Sequence, residues 1–125
     1  MTKQELFEYC LETYGDSPDY PFENDFETAV LRHPTNKKWY ALVMRVPRSK
    51  FGEEETELVD VVNLKVPLAE SFAFDAFGGV YPAYHMNKRH WVSVILPDTP
   101  NDLLCHLLAL SYDATKPKLK PKKNE

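Results

Sequence analysis

The chain has 125 residues, 43% of them hydrophobic, with 15 Lys and Arg against 19 Asp and Glu, a net charge of −4. That length suits one domain whose core needs neither a metal nor a disulfide as a staple. No apolar run reaches the ~20 residues of a membrane span, and Lys3, Glu5 and Glu8 break up the opening stretch where a secretion signal would be apolar, so a cytoplasmic location is expected.

The first element reads as a helix. Thr2 and Glu5 have the spacing of a capping box, in which each side chain meets the other residue's backbone N–H. Leu6, Cys10, Leu11 and Tyr14 recur at helical spacing with Phe7 beside them, and Gly15 supplies a left-handed stop. Cys10 and Cys105 both fall in apolar helical patterns and read as buried free thiols.

Strands follow. Thr28–His33 is short and branched. In Trp39–Val46, strict alternation places Tyr40, Leu42, Met44 and Val46 on one face and Trp39, Ala41, Val43 and Arg45 on the other. The polar run 34–38 between them has turn chemistry, which makes the pair a hairpin. Pro47 ends the second strand, since it lacks a ladder donor. An acidic loop with Glu53, Glu54, Glu55 and Glu57 leads to a third strand, Leu58–Lys65.

Pro67 is expected to open a second helix through Phe77, with Phe72, Ala73, Ala76 and Phe77 inward and Gly78-Gly79 as its stop. Tyr84–Met86 and His90–Leu96 read as another hairpin turning at Asn87-Lys88-Arg89. A final helix is expected from Thr99 as cap, Pro100 in the first turn and Asp102 answering, with Leu103, Leu104, Leu107, Leu108 and Ser111 on its buried side. Beyond residue 113 the composition is Lys/Pro-rich, so 1–113 is expected as the folded domain and 114–125 as a disordered tail. Residues 1–113 hold 10 Lys and Arg and 18 Asp and Glu, a net of −8; the last twelve hold five lysines against Glu125, a net of +4. The fold class is α+β: a single antiparallel sheet packed with about three helices.

The stretch Tyr81-Pro82-Ala83-Tyr84-His85-Met86-Asn87-Lys88-Arg89-His90-Trp91 closely resembles the signature of the MmcQ/YjbR (YjbR-like) family. The segments 29–33, 36–44 and 46–50 match upstream, and Val66-Pro67 departs from the family's usual helix start. The resemblance covers about residues 1–113. It implies an α/β sandwich with projecting hairpins, a double-wing arrangement, and the DNA-binding role commonly attached to that shape, which is an argument from fold alone.

Two functional classes then compete. In the first, hairpin turns carry cations to duplex DNA: Lys37 and Lys38 in one turn, Arg48 and Lys50 after the second strand, Lys88 and Arg89 in the signature turn, with Asn87 offered to a base edge and His85, His90 or Trp91 to sugar or base. The Lys-rich tail would add attraction. The bland alternative is that turns are solvated and therefore polar, and that Tyr84 and Trp91 pair across strands while His85 and His90 satisfy buried backbone groups. In the second class, Glu5, Glu8 and Glu12 on the first helix, with Asp16 and Asp19 just beyond, attract a basic protein partner; the alternative is a solvated face. The four histidines have no metal-binding spacing. No GxSxG, HExxH, Walker or GxGxxG motif is present. The expectation is a non-catalytic protein without cofactor or metal.

Overall fold

A computed structural model describes residues 1–118. Helix α1 spans Lys3–Tyr14 and begins with the expected capping box: the Thr2 hydroxyl accepts from the Glu5 N–H at 3.1 Å, and the Glu5 carboxylate accepts from the Thr2 N–H at 2.9 Å. Gly15, at φ 75°, closes it. Leu6, Phe7 and Cys10 are buried, whereas Leu11, expected on the same face, is 54% exposed.

Five strands form one antiparallel sheet: β1 Ala29–Arg32, β2 Trp39–Pro47, β3 Leu58–Lys65, β4 Val80–Pro82 and β5 Trp91–Ile95, in the order β1-β2-β3-β5-β4. Helix α2, Asn101–Thr115, runs two residues past the expected domain edge at Asp113. Residues 119–125 of the expected tail lie outside the described residues. Among the described residues there are two α-helices, not three. Both pack on one face of the sheet, around Leu6, Leu31, Val62, Leu64, Val94, Leu104 and Leu108.

The segment expected as a second helix instead makes two short 3-10 turns, Ala69–Ser71 and Phe74–Ala76. An α-helix would turn Phe72 and Phe74 about 200° apart, yet both rings pack against the main core, 5.1 Å from each other. Burying two aromatics spaced two apart defeats the helical period. Leu68 enters at φ 58°, which also blocks a regular helix. Tyr84–Met86 is not a strand either: His85 has φ 67°, and the paired residues are Val80–Pro82. Gly79 ends no helix; at φ 86° it passes so close to Thr99 that a Cβ there would collide with the Thr99 hydroxyl. Thr99 does not cap α2, because its hydroxyl donates back to the Ile95 carbonyl at 2.9 Å.

The alternation expected for β2 breaks at its first two residues. Leu31 pairs with Ala41 but Arg32 pairs with Trp39, so Tyr40 is an extra residue, a β-bulge. Its ring therefore joins the helix-side core and meets Tyr14 and Tyr112, while Trp39 moves to the opposite face with Leu42 and Met44. The pairing of β2 with β3 ends next to the bulge, at Ala41 and Leu64. There the Ser111 hydroxyl of α2 donates to the Tyr40 carbonyl at 2.5 Å and accepts from the Lys65 N–H at 2.8 Å. One side chain thus replaces a missing backbone bond and pins the helix to two strands. Nearby, buried His33 places Nε2 at 3.1 Å from the Tyr112 carbonyl and 2.9 Å from the Thr115 hydroxyl, closing the C-terminal turn of α2.

Replacing Ser111 with Ala leaves two buried backbone groups without their partner, so urea denaturation should show a loss of about 1–3 kcal/mol. Burial holds His33 below the usual histidine pKa, so the unfolded chain takes up a proton before the folded one does. Stability should be complete above the unfolded value, about pH 6.5, and fall as the pH drops through the folded value. Unfolding midpoints measured across that range should show this limb in the native chain and not in His33→Gln.

Candidate nucleic-acid interface

Antiparallel pairing brings three chain positions into one row at one end of the sheet. β2 begins at Trp39, β3 ends at Lys65, and β5 begins at Trp91, which pairs directly with Lys65. The residues just before each tryptophan are basic: Lys37 and Lys38 in the β1–β2 turn, Lys88 and Arg89 ahead of β5. Lys37, Lys38, Trp39, Lys65, Trp91 and Thr115 line one shallow depression of about 340 Å3. α2 ends at the same place, since Asn36 Nδ2 donates to the Thr115 carbonyl at 2.9 Å, and Lys116 follows immediately. Two acidic groups offset part of this charge: Glu70 lies 3.3 Å from Arg89, and Asp113 lies 3.5 Å from Lys116. Lys37, Lys38 and Lys88 are exposed and join no ion pair among the described residues.

The turns that hold these lysines are built from their own neighbours. Lys37, at φ 63°, donates its N–H to the His33 carbonyl, and the Asn36 side chain accepts from the Lys38 N–H. In the second turn, Asn87 Oδ1 accepts from the Arg89 N–H at 2.8 Å, and its carbonyl accepts from the N–H groups of His90 and Trp91. Asn87 is therefore the residue that shapes the turn, an Asx-type closure, and its Oδ1 is engaged by the Arg89 N–H.

Arg48 and Lys50 do not join this group. They follow Pro47, at the far end of the nine-residue β2, roughly 30 Å along the strand from Trp39. Arg48 is spoken for: its guanidinium contacts Asp98 at 2.6 and 3.0 Å, Glu57 at 2.9 Å and Glu53 at 3.4 Å. Those contacts raise the Arg48 pKa further and hold the Asp98 carboxyl below its usual range. The expected patch thus divides into a basic end around Lys65 and an arginine that ties the acidic loop to the segment after β5. Lys65 itself was missed in the sequence; as the last residue of a strand it carries no turn signal.

The signature residues sit on the face of the sheet away from the helices. Asn63 on β3 and Ser93 on β5 are fully buried there. Asn63 Nδ2 donates to the Tyr84 carbonyl at 2.8 Å, the Tyr84 N–H donates to Ser93 Oγ at 2.9 Å, and Ser93 donates to Asn63 Oδ1 at 2.5 Å. Tyr84 is held by its backbone while its ring meets Phe51 and His85. It does not pair with Trp91, which sits across from Lys65. His85 and His90 are exposed, so neither satisfies a buried group as expected; Met86 is half-buried.

The acidic ridge on the first helix is largely committed to internal contacts. Glu5 serves the capping box, Asp16 accepts from the Tyr40 hydroxyl at 2.7 Å, and Asp19 pairs with Arg32 at 2.6 Å. Glu8 and Glu12 remain exposed. Cys10 is buried and its thiol is pushed up to about 12 by desolvation, which keeps it protonated and unreactive.

Residues 11–114 match the model of the YjbR family. The Bacillus subtilis (strain 168) protein named as uncharacterized protein YyaQ is 39% identical over 117 residues, covering 93% of this chain and 99% of its own. A Pseudomonas syringae protein solved by crystallography superposes with a TM-score of 0.87 at 38% identity, over 93% of this chain and all of its own. A Deinococcus radiodurans crystal structure with a DUF419 domain gives 0.66 at 28% identity, over 97% and 83%. No helix among the described residues is long and apolar enough to cross a membrane.

If Arg48 is a structural tie, Arg48→Ala should lower the urea midpoint, while Lys50→Ala should leave stability within about 0.5 kcal/mol of the native chain. The Asp98 carboxylate contributes stability above its unfolded pKa and loses it as the pH falls through its lowered folded value. Acid unfolding of Arg48→Ala should accordingly begin at higher pH than that of the native chain.

Proposed function

The chain belongs to the YjbR family, and from that premise we propose that it binds nucleic acid without catalysis, through the basic end of its sheet, with a preference for strands whose bases are unpaired. The observation that carries this reading is the shared depression in which Lys37, Lys38 and Lys65 surround Trp39 and Trp91. Phosphates need cations, and unpaired bases stack on aromatic faces; grooves that combine the two track single strands with little sequence preference. A duplex keeps its bases stacked on one another and would use the lysines alone.

Charge segregation supports the same reading. The body of the domain carries a net negative charge, so a polyanion needs cations concentrated locally. The acidic loop gathers around Arg48 at the opposite end of β2 from the depression that Lys37, Lys38 and Lys65 line. Through-space repulsion is screened over about 8–10 Å at physiological salt, well short of the length of β2.

The only two tryptophans of the chain both line the depression, so binding reports itself. Titration with a short single-stranded oligonucleotide should quench intrinsic fluorescence, and the affinity should fall with salt at a slope of about 0.7 per phosphate contact. Trp91→Ala should weaken binding by about 1–3 kcal/mol. Replacing Lys37, Lys38 and Lys88 together by Gln should flatten the salt slope, and Lys50→Gln should not. Equal affinity for duplex and single strand would remove the stacking role; absence of quenching at low salt would remove the reading altogether.

A further inference from the structure

A second concavity shares Trp39 with the basic depression and is otherwise lined by different residues. It is a cleft of about 580 Å3, within the 300–1,000 Å3 usual for small-molecule sites. Its floor is the face of β2 that carries Leu42 and Met44. One wall is the loop before β1, with Phe22, Glu23 and Asp25; the other is His85-Met86 of the signature segment. Trp39 closes one end, and its ring meets Phe22 edge to face, centroids 5.7 Å apart at 78°. Two aromatic rings at nearly right angles make a corner, and Met44 and Met86 line the same cleft.

Two carboxylates and one arginine border this corner. Glu23 is exposed and joins no ion pair among the described residues. Thr28, through its side chain and its N–H, and the Glu27 N–H lower the Asp25 pKa and keep it ionised, the two N–H bonds both being 2.9 Å. Arg45 also borders the cleft, but its guanidinium lies 3.3 Å from Asp60 across the β2–β3 pair, which offsets its charge. Aromatic faces attract cations within about 6 Å of a ring centre, and polarizable methionines adapt to the substituents of such a group. The signature segment is held in place for this: the buried Asn63–Ser93 pair clamps the backbone of Tyr84, and His85 is kept at φ 67°, a conformation non-glycine residues avoid unless surrounding structure imposes it.

We propose that this cleft binds a small organic cation, an ammonium centre carrying apolar substituents, seated in the Trp39–Phe22 corner between Met44 and Met86 with Glu23 and Asp25 at its rim. A neutral molecule of the same shape would gain the apolar contact and lose the attraction of both the rings and the carboxylates. Nucleic acid, as a polyanion, is repelled by that rim, so the two sites, which share Trp39, take ligands of opposite charge and are told apart by the Glu23 and the lysine variants.

Choline and its uncharged carbon isostere, 3,3-dimethylbutan-1-ol, separate the terms. With methyl-labelled methionine, the native protein should show the Met44 and Met86 signals shifting with choline while Met1 stays still. The isostere should bind at least about tenfold more weakly. Glu23→Gln, at an exposed position where folding is not at risk, should weaken choline and leave the isostere unchanged. Equal affinity for both compounds would overturn the proposal by showing an apolar cleft indifferent to charge. Shifts confined to other residues, or none at millimolar choline, would overturn it by showing no site there.

Discussion

The Ser111 hydroxyl is the contact on which the rest of the molecule turns. β2 carries one residue too many against β1, and at that point its pairing with β3 has ended at Ala41 and Leu64, so the Tyr40 carbonyl and the Lys65 N–H have no strand partner in each other. Ser111 bridges them. The bridge makes the bulge tolerable, and the bulge reverses the sides of two neighbouring aromatic residues. Tyr40 goes to the helix side, where it packs with Tyr14, His33 and Tyr112 and donates to Asp16. Trp39 goes to the other side, where it stands between the basic depression and the apolar cleft and borders both. Without the extra residue, strict alternation would bury Trp39 under the helices, leaving the apolar cleft without its indole and the basic depression with Trp91 alone.

The two faces of the sheet consequently differ in kind. The helix side is a continuous apolar core, and its burial is the main source of stability. The other side is covered by irregular chain, and irregular chain needs partners for its backbone. Asn63 and Ser93, in the middle of central strands, supply them to Tyr84. Such buried polar residues are costly unless fully paired, and here each finds the other as well as the loop. The arrangement trades some apolar burial for a fixed loop position, which is what a binding surface requires. The ends of the sheet differ as well: lysines collect where β2 and β5 begin, and the acidic loop gathers around Arg48 where β2 ends.

Much of this was legible in the sequence wherever a local rule had one solution. The capping box of α1, the limits of β3 and the buried Ser111 follow from spacing alone, and a single antiparallel sheet follows from short strands separated by turn chemistry. The bulge did not show, because Trp39 and Tyr40 are both large aromatics and either parity satisfies alternation. The expected second helix failed because its phenylalanines are spaced for one core-facing side of a non-helical chain, a demand set by the tertiary structure. Of the site, the turn lysines were legible and Lys65 was not. Arg48 was misjudged because one of its carboxylate partners, Asp98, is 50 residues distant, beyond the reach of any local pattern. His85 and Asn87 were visible as a motif, but whether each faced a ligand or held a turn depended on backbone angles that composition does not report.

The sorting of the two rings by the bulge can be measured in the free protein. Nuclear Overhauser contacts from the Trp39 indole should reach the ring of Phe22, and those from the Tyr40 ring should reach Tyr14 and Tyr112. Contacts from Trp39 to Tyr14 or Tyr112, with Tyr40 on the opposite face, would show a strand without the bulge and would contradict the account at its base.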